Sequence, residues 1–189
     1  MNSGRVRGWT ALLPLICCLV LWLAAPGCGG DDDDDDQDLS ISYAADGEPG
    51  ETGIALALNR TDGDLLIVDV VTGGGFVDAY ALAFRLTYDN EVMTFEDRTA
   101  GEALAADGVT VICLANENAR GELIFGVSRA DSFDGADPEA GNPIASLAFR
   151  ATGKGETRLD FLEEHRGMAD NRLRSLDVAE WIGGAVEVR

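Results

Sequence analysis

The chain of 189 residues is short of basic residues, with 14 Lys plus Arg against 34 Asp plus Glu and a formal net charge of −20. Such a field repels the phosphates of nucleic acids and anionic lipid headgroups, so nucleic acid is excluded as a partner. Histidine is almost absent. His165 is the only one, which leaves no His-rich metal site and no Ser-His-Asp set. Cysteine is equally sparse where it would matter. Cys17, Cys18 and Cys28 lie in the first 28 residues, so Cys113 has no partner for a disulfide further along and reads as a small strand hydrophobe. Beyond the first 27 residues Trp181 is the sole tryptophan, and no spaced row of aromatics suggests a platform for stacking on sugars. Helical periodicity is missing too: no amphipathic stretch reaches helix length.

What is present begins with an export segment. Arg5 and Arg7 precede an apolar run from Thr10 to Ala25, too short to span a bilayer comfortably. Residues 1–27 therefore read as a signal peptide. Ala25-Pro26-Gly27-Cys28 resembles a bacterial lipobox, which implies lipid attachment at Cys28 and a membrane contact through that anchor only; cleavage after Ala25 is the competing reading. Gly29, Gly30 and six aspartates, Asp31 to Asp36, follow. Like charges with nothing apolar to bury make an extended spacer. Residues 28–52 are expected to be a flexible acidic tether, with a loose strand around Leu39 to Tyr43 as the alternative for its end, and 53–189 the folded domain.

From Gly53 the pattern is all-β. The central stretch runs from Tyr80 to Tyr88 and alternates without a break. Tyr80, Leu82, Phe84, Leu86 and Tyr88 share one face; Ala81, Ala83, Arg85 and Thr87 share the other. Large apolar groups on one face require a second layer. Leu65 to Val71 is nearly continuous in apolar residues, so both its faces are expected to be covered. Residues 109–115 and 122–128 form a hairpin with its loop at 116–121. Ile144 to Ala151, Thr157 to Phe161 and Val178 to Val188 supply further strands, and residues 100–106 one helical turn. These short strands and their turns predict a two-layer antiparallel β-sandwich.

The central strand ends in Tyr88-Asp89, and a turn, a Val/Met/Phe run and Ala100-Gly101-Glu102 come after it. Gly167-Met168-Ala169-Asp170-Asn171 and Gly183-Gly184-Ala185-Val186-Glu187-Val188 close the chain. Together with Leu65 to Val71, these segments resemble the cohesin family over residues 53–188. The resemblance implies a nine-stranded jelly-roll-like fold and a non-catalytic module that binds dockerins in cellulosome-type assemblies for polysaccharide degradation. It also implies that the sheet holding the central strand is the docking face, with Ala81, Ala83 and Arg85 as partner-binding candidates. Family members of the best-known type carry Asn and Asp where this chain has Ala81 and Ala83, so a partner other than a standard dockerin is expected.

No catalytic set emerges. Ser128 follows Gly126-Val127 but lacks the second glycine of a nucleophile elbow, and pairs such as Glu163-Glu164 arise by chance in so acidic a chain. The loop bearing Asp131, Asp134 and Asp137 is a candidate for calcium, against the alternative of a solvated loop; no other cofactor is expected. Three functions stay open: a surface-anchored adaptor for a dockerin-like protein partner, a carbohydrate-binding module holding the cell or a complex on polysaccharide, and a structural lipoprotein domain without a ligand.

Overall fold

A computed structural model describes residues 38–105, 107–118, 120–130 and 133–189. The signal peptide, Cys28, the aspartate run and Asp131 lie outside these residues. Thirteen strands and one 3-10 turn follow in order. They are β1 (Ile41–Ala45), β2 (Gly53–Asp62), β3 (Leu65–Thr72), β4 (Ala79–Thr87), β5 (Met93–Ala100), β6 (Val111–Asn118) and β7 (Glu122–Arg129), then β8 (Pro143–Ala151), β9 (Gly155–Phe161), the turn Glu163–His165, β10 (Gly167–Asp170), β11 (Ser175–Leu176), β12 (Glu180–Ile182) and β13 (Gly184–Val188). Thirteen replaces the expected nine because the closing segment is divided into short pieces and β1 adds an N-terminal strand.

Two sheets pack face to face. One runs β1-β13-β9-β4-β10-β11, with β7 also paired to β4 and β6 to β7; the other runs β12-β2-β3-β8-β5. All pairs are antiparallel except β12 with β2. The core lies between the sheets. Phe84 stacks on Phe125 with ring centroids 4.7 Å apart and meets Phe161 edge-on at 5.1 Å. Leu82, Leu86, Leu123, Leu147 and Phe149 complete this layer, all buried. Apart from Tyr80 on β4, the inward positions of β4, β7, β8 and β9 are those the alternation assigned.

Five expectations change. Residues 38–52 are not all tether: β1 pairs with β13 along its length, buries Ile41 and Tyr43, and the Tyr43 hydroxyl donates to the Leu56 carbonyl of the other sheet at 3.0 Å. The apolar spacing Leu39-Ile41-Tyr43 suffices once β13 offers a ladder. Tyr80 does not join the inward row. β4 pairs with β10 through Ala79 and Ala81, leaving Tyr80 as the extra residue of a bulge, and Ala79 takes the buried place. β3 is covered only in part on its outer face, where Leu65 and Ile67 are half-buried while Val71 is buried. In place of the helical turn expected at 100–106, residues 102–105 form a hydrogen-bonded turn in which the Ala105 amide donates to the Glu102 carbonyl, and β6 extends through Asn118 into the expected loop.

One end of the sandwich is built on a buried cation. Arg129, at the end of β7, has no exposed side-chain surface. Its Nε donates to the Asp134 carbonyl at 2.9 Å, one terminal nitrogen to the Leu104 carbonyl, and the other to the Asp107 carboxylate. This ties the β5–β6 and β7–β8 connections together. Reciprocal backbone bonds of 2.8 Å between Ala79 and Ala136 then fix the second connection against β4.

Candidate docking face

The register of β6, β7, β4 and β10 sets out the solvent face of the first sheet row by row. Ile112, Ser128, Ala81 and Ala169 lie abreast across the four strands. The next row is Leu114, Gly126, Ala83 and Gly167, and the third is Asn116, Ile124 and Arg85. Alternation along each strand sends the neighbouring residues into the core, so the outward set is decided by the same pleat that buries Leu82, Phe84 and Leu86. Ile112 is 50% exposed, Leu114 64% and Ile124 39%. These are large apolar side chains that a lone sandwich would ordinarily turn inward.

Charge is nearly absent here. Among the described residues, Arg85 and Glu122 are the only charged side chains at outward positions of these four strands, and they pair with each other, Arg85 Nη1 to Glu122 Oε1 at 2.8 Å. The Glu122 carboxyl is held below the ordinary range by hydrogen bonds from Asn118 and Arg85. The solvent face of the other sheet is different. There Arg150 joins Asp64 and Glu96 in an ion-pair network, and Asp69 accepts from Asn59 and Ser146. In a chain of net charge −20, an outward surface of four strands with no net charge is the exception that needs an account.

Between β4 and β10 the small side chains leave a shallow groove of about 280 Å³, floored by Ala81, Ala83, Gly167 and Ala169 and bordered by Leu173. The turn that carries Leu173 is organised by Asp170. Its buried carboxylate accepts the amides of Arg172 at 2.9 Å and Arg174 at 2.8 Å, and pairs with the Arg174 guanidinium at 2.6 Å. Burial works to raise the Asp170 pKa, but the hydrogen bonds from Arg174 and Arg172 outweigh it and the group titrates below the usual carboxylate range. The Ala169-Asp170 step thus builds the turn beside the groove.

Of the sequence candidates, Ala81, Ala83 and Arg85 do share this face. Asp134 and Asp137 sit in the loop that Arg129 organises. The Asp137 carboxylate accepts the Asp78 amide at 2.9 Å, so it serves the backbone, and among the described residues no group of three His, Cys, Asp or Glu side chains is placed to hold a metal ion. Trp181 packs edge-on to Phe161 at 5.1 Å and under Arg166. Phe133 is the one aromatic among the large exposed hydrophobics, so no aromatic row for sugar stacking occurs among the described residues. Cys113 is half-buried, and burial pushes its thiol pKa up. Sequence reasoning missed Ile112, Leu114, Ile124 and Leu173. The run Val111-Ile112-Cys113-Leu114 is apolar on both faces, and only the pairing tells which is out.

Comparison with known proteins bears on the fold. No protein-family model matches the chain, and no curated protein matches it significantly. Solved structures do. A type II cohesin domain from the cellulosome of Acetivibrio cellulolyticus superposes with a TM-score of 0.52 at 13% identity, covering 79% of this chain and 94% of that one. The sixth cohesin of scaffoldin B from the same organism, solved in complex with a dockerin, gives 0.52 at 15% identity, over 69% of this chain and 96% of that one. The second type II cohesin module of its adaptor scaffoldin gives 0.51 at 14%, over 76% and 85%. The sandwich is the cohesin fold.

Proposed function

From the cohesin fold and the uncharged outer face of β6, β7, β4 and β10, we propose that this chain is a non-catalytic docking module that binds a protein partner on that face, as an exported lipoprotein anchored at Cys28. The observation that carries the reading is the cluster of Ile112, Leu114 and Ile124, exposed around an Ala/Gly floor in an otherwise acidic protein. Burying such a patch against a partner is favourable by about 25 cal/mol for each Å² removed from water. The face also dictates the partner's form. A sheet face has its backbone groups already paired, so an occupant lying on it must satisfy its own, as an α-helix does.

The similar cohesin of scaffoldin B is solved with a dockerin, and a dockerin-like helical module in an assembly for polysaccharide degradation is the partner class proposed here. Ala81 and Ala83 offer it no side-chain hydrogen bonds. A dockerin helix that needs polar partners there would leave groups buried and unpaired, at about 1–3 kcal/mol each. Two such groups weaken binding by roughly a hundredfold, since about 1.4 kcal/mol is tenfold. A helix with an apolar stripe avoids that cost.

Partners captured from the source organism's secreted proteins, measured by titration calorimetry against the wild-type chain and Ala83→Lys, test the reading. Ala83→Lys is expected to abolish binding while leaving the thermal midpoint in place, because position 83 points to solvent. A helical partner indifferent to Ala83→Lys, or tight binding of a dockerin that relies on polar contacts at these positions, would move the docking surface elsewhere.

A further inference from the structure

Leu173 combines two unfavourable features. Its backbone is left-handed, with φ of 60°, a conformation that a bulky L-residue adopts only at a cost and that Gly or Asn ordinarily fills. Its side chain is 77% exposed. Nothing about the fold asks for leucine here. The turn is made by Asp170, whose carbonyl accepts the Leu173 amide at 2.9 Å and whose carboxylate accepts the two flanking amides. Glycine would satisfy that backbone without strain and without apolar surface in water. Strained residues of this kind persist where the surroundings over-determine them, and they collect at sites of function.

The position matters as much as the strain. Leu173 borders the groove over Ala81, Ala83, Gly167 and Ala169, so one large side chain stands at the edge of a floor of small ones. The relief is the reverse of a flat apolar patch: a knob beside a hollow. Resting on the docking reading above, we propose that Leu173 is the specificity-determining residue of this face and selects a helix of another protein whose apolar stripe is interrupted by a small residue where it meets Leu173. The larger side chains of that helix fill the hollow over Ala81 and Ala83. Alanine or glycine at the crossing point admits the Leu173 side chain, and a leucine there clashes with it. The Asp170 bonds hold the backbone beneath the knob in place before binding, so little backbone freedom is lost on contact.

Two synthetic amphipathic helices separate the possibilities. Both carry a stripe of leucines; in one a single central leucine is replaced by alanine. Binding to the full chain is followed by calorimetry and by chemical-shift mapping, for wild type, Leu173→Gly and Ala83→Lys. The interrupted helix is expected to bind wild type about tenfold tighter than the uninterrupted one, the scale on which apolar shape mismatches discriminate. Leu173→Gly should erase or invert that preference and, by relieving the left-handed leucine, raise the thermal midpoint. Equal affinities of the two helices for wild type, with both lost in Ala83→Lys, would overturn the role of Leu173 and leave the docking face standing. Saturable binding by neither helix, or binding indifferent to Ala83→Lys, would overturn the docking reading and this proposal with it. Self-association of the chain that Leu173→Gly dissolves would assign the knob to a second copy and equally overturn it.

Discussion

Replacing Phe84 by alanine tests the central strand most directly. The ring is 1% exposed. It stacks on Phe125 at 4.7 Å and meets Phe161 at 5.1 Å and Trp181 at 6.4 Å edge-on. Truncation removes the transfer free energy of a large ring and leaves a cavity whose walls come from both sheets, which relax only in part; the cost is about 3–5 kcal/mol. For a domain of this size about 1 kcal/mol lowers the thermal midpoint by roughly 2–4 °C, so Phe84→Ala should melt about 6–20 °C lower. Arg85, the next residue, points outward and its side chain is 35% exposed. Its pair with Glu122 is screened by solvent, and Arg85→Ala should cost less than about 1 kcal/mol. Calorimetric melting of the two variants beside wild type gives the answer. Comparable losses from both would refute the inward and outward assignment of β4, and with it the argument that places Ala81, Ala83 and Arg85 on one solvent face.

Arg129→Met keeps much of the volume and removes every hydrogen bond to Leu104, Asp134 and Asp107; the loss should be about 2–4 kcal/mol, mostly from the buried carbonyl end, and urea unfolding with an unchanged midpoint would contradict it. Asp170 has a depressed pKa in the folded chain, so its contribution to stability is present above the ordinary carboxylate pKa and is lost as pH falls through the folded value. Thermal midpoints measured down through the acid range should therefore fall more steeply for wild type than for Asp170→Asn, and parallel curves would show that Asp170 does not carry the turn. Cys28→Ala should release the protein from the membrane fraction or leave it unprocessed; unchanged retention with cleavage after Ala25 would assign an ordinary signal peptide.

Periodicity along the chain determined a good deal by itself. The unbroken alternation from Ala81 to Tyr88, the inward Leu123, Phe125 and Val127, and the pairing of Leu147 with Phe149 on one face were all legible, because a strand's pleat is a local property. The order of the closing Gly-rich segments carried the cohesin likeness. Three kinds of fact were not local. Tyr80 falls out of the inward row because β10, nearly ninety residues away, forces a bulge, and no local pattern announces a partner's register. The sidedness of Val111 to Leu114 waited on β7, since a run that is apolar on both faces has no phase of its own. Residues 41–45 could be read as linker or as a loose strand, and β13 decided for the strand by supplying a ladder. The docking face is decided at this level: Ile112, Ser128, Ala81 and Ala169 come from four strands whose adjacency only folding creates. Burial of the Asp170 carboxylate is likewise tertiary, and it is this that fixes Leu173 in its left-handed turn at the edge of the groove.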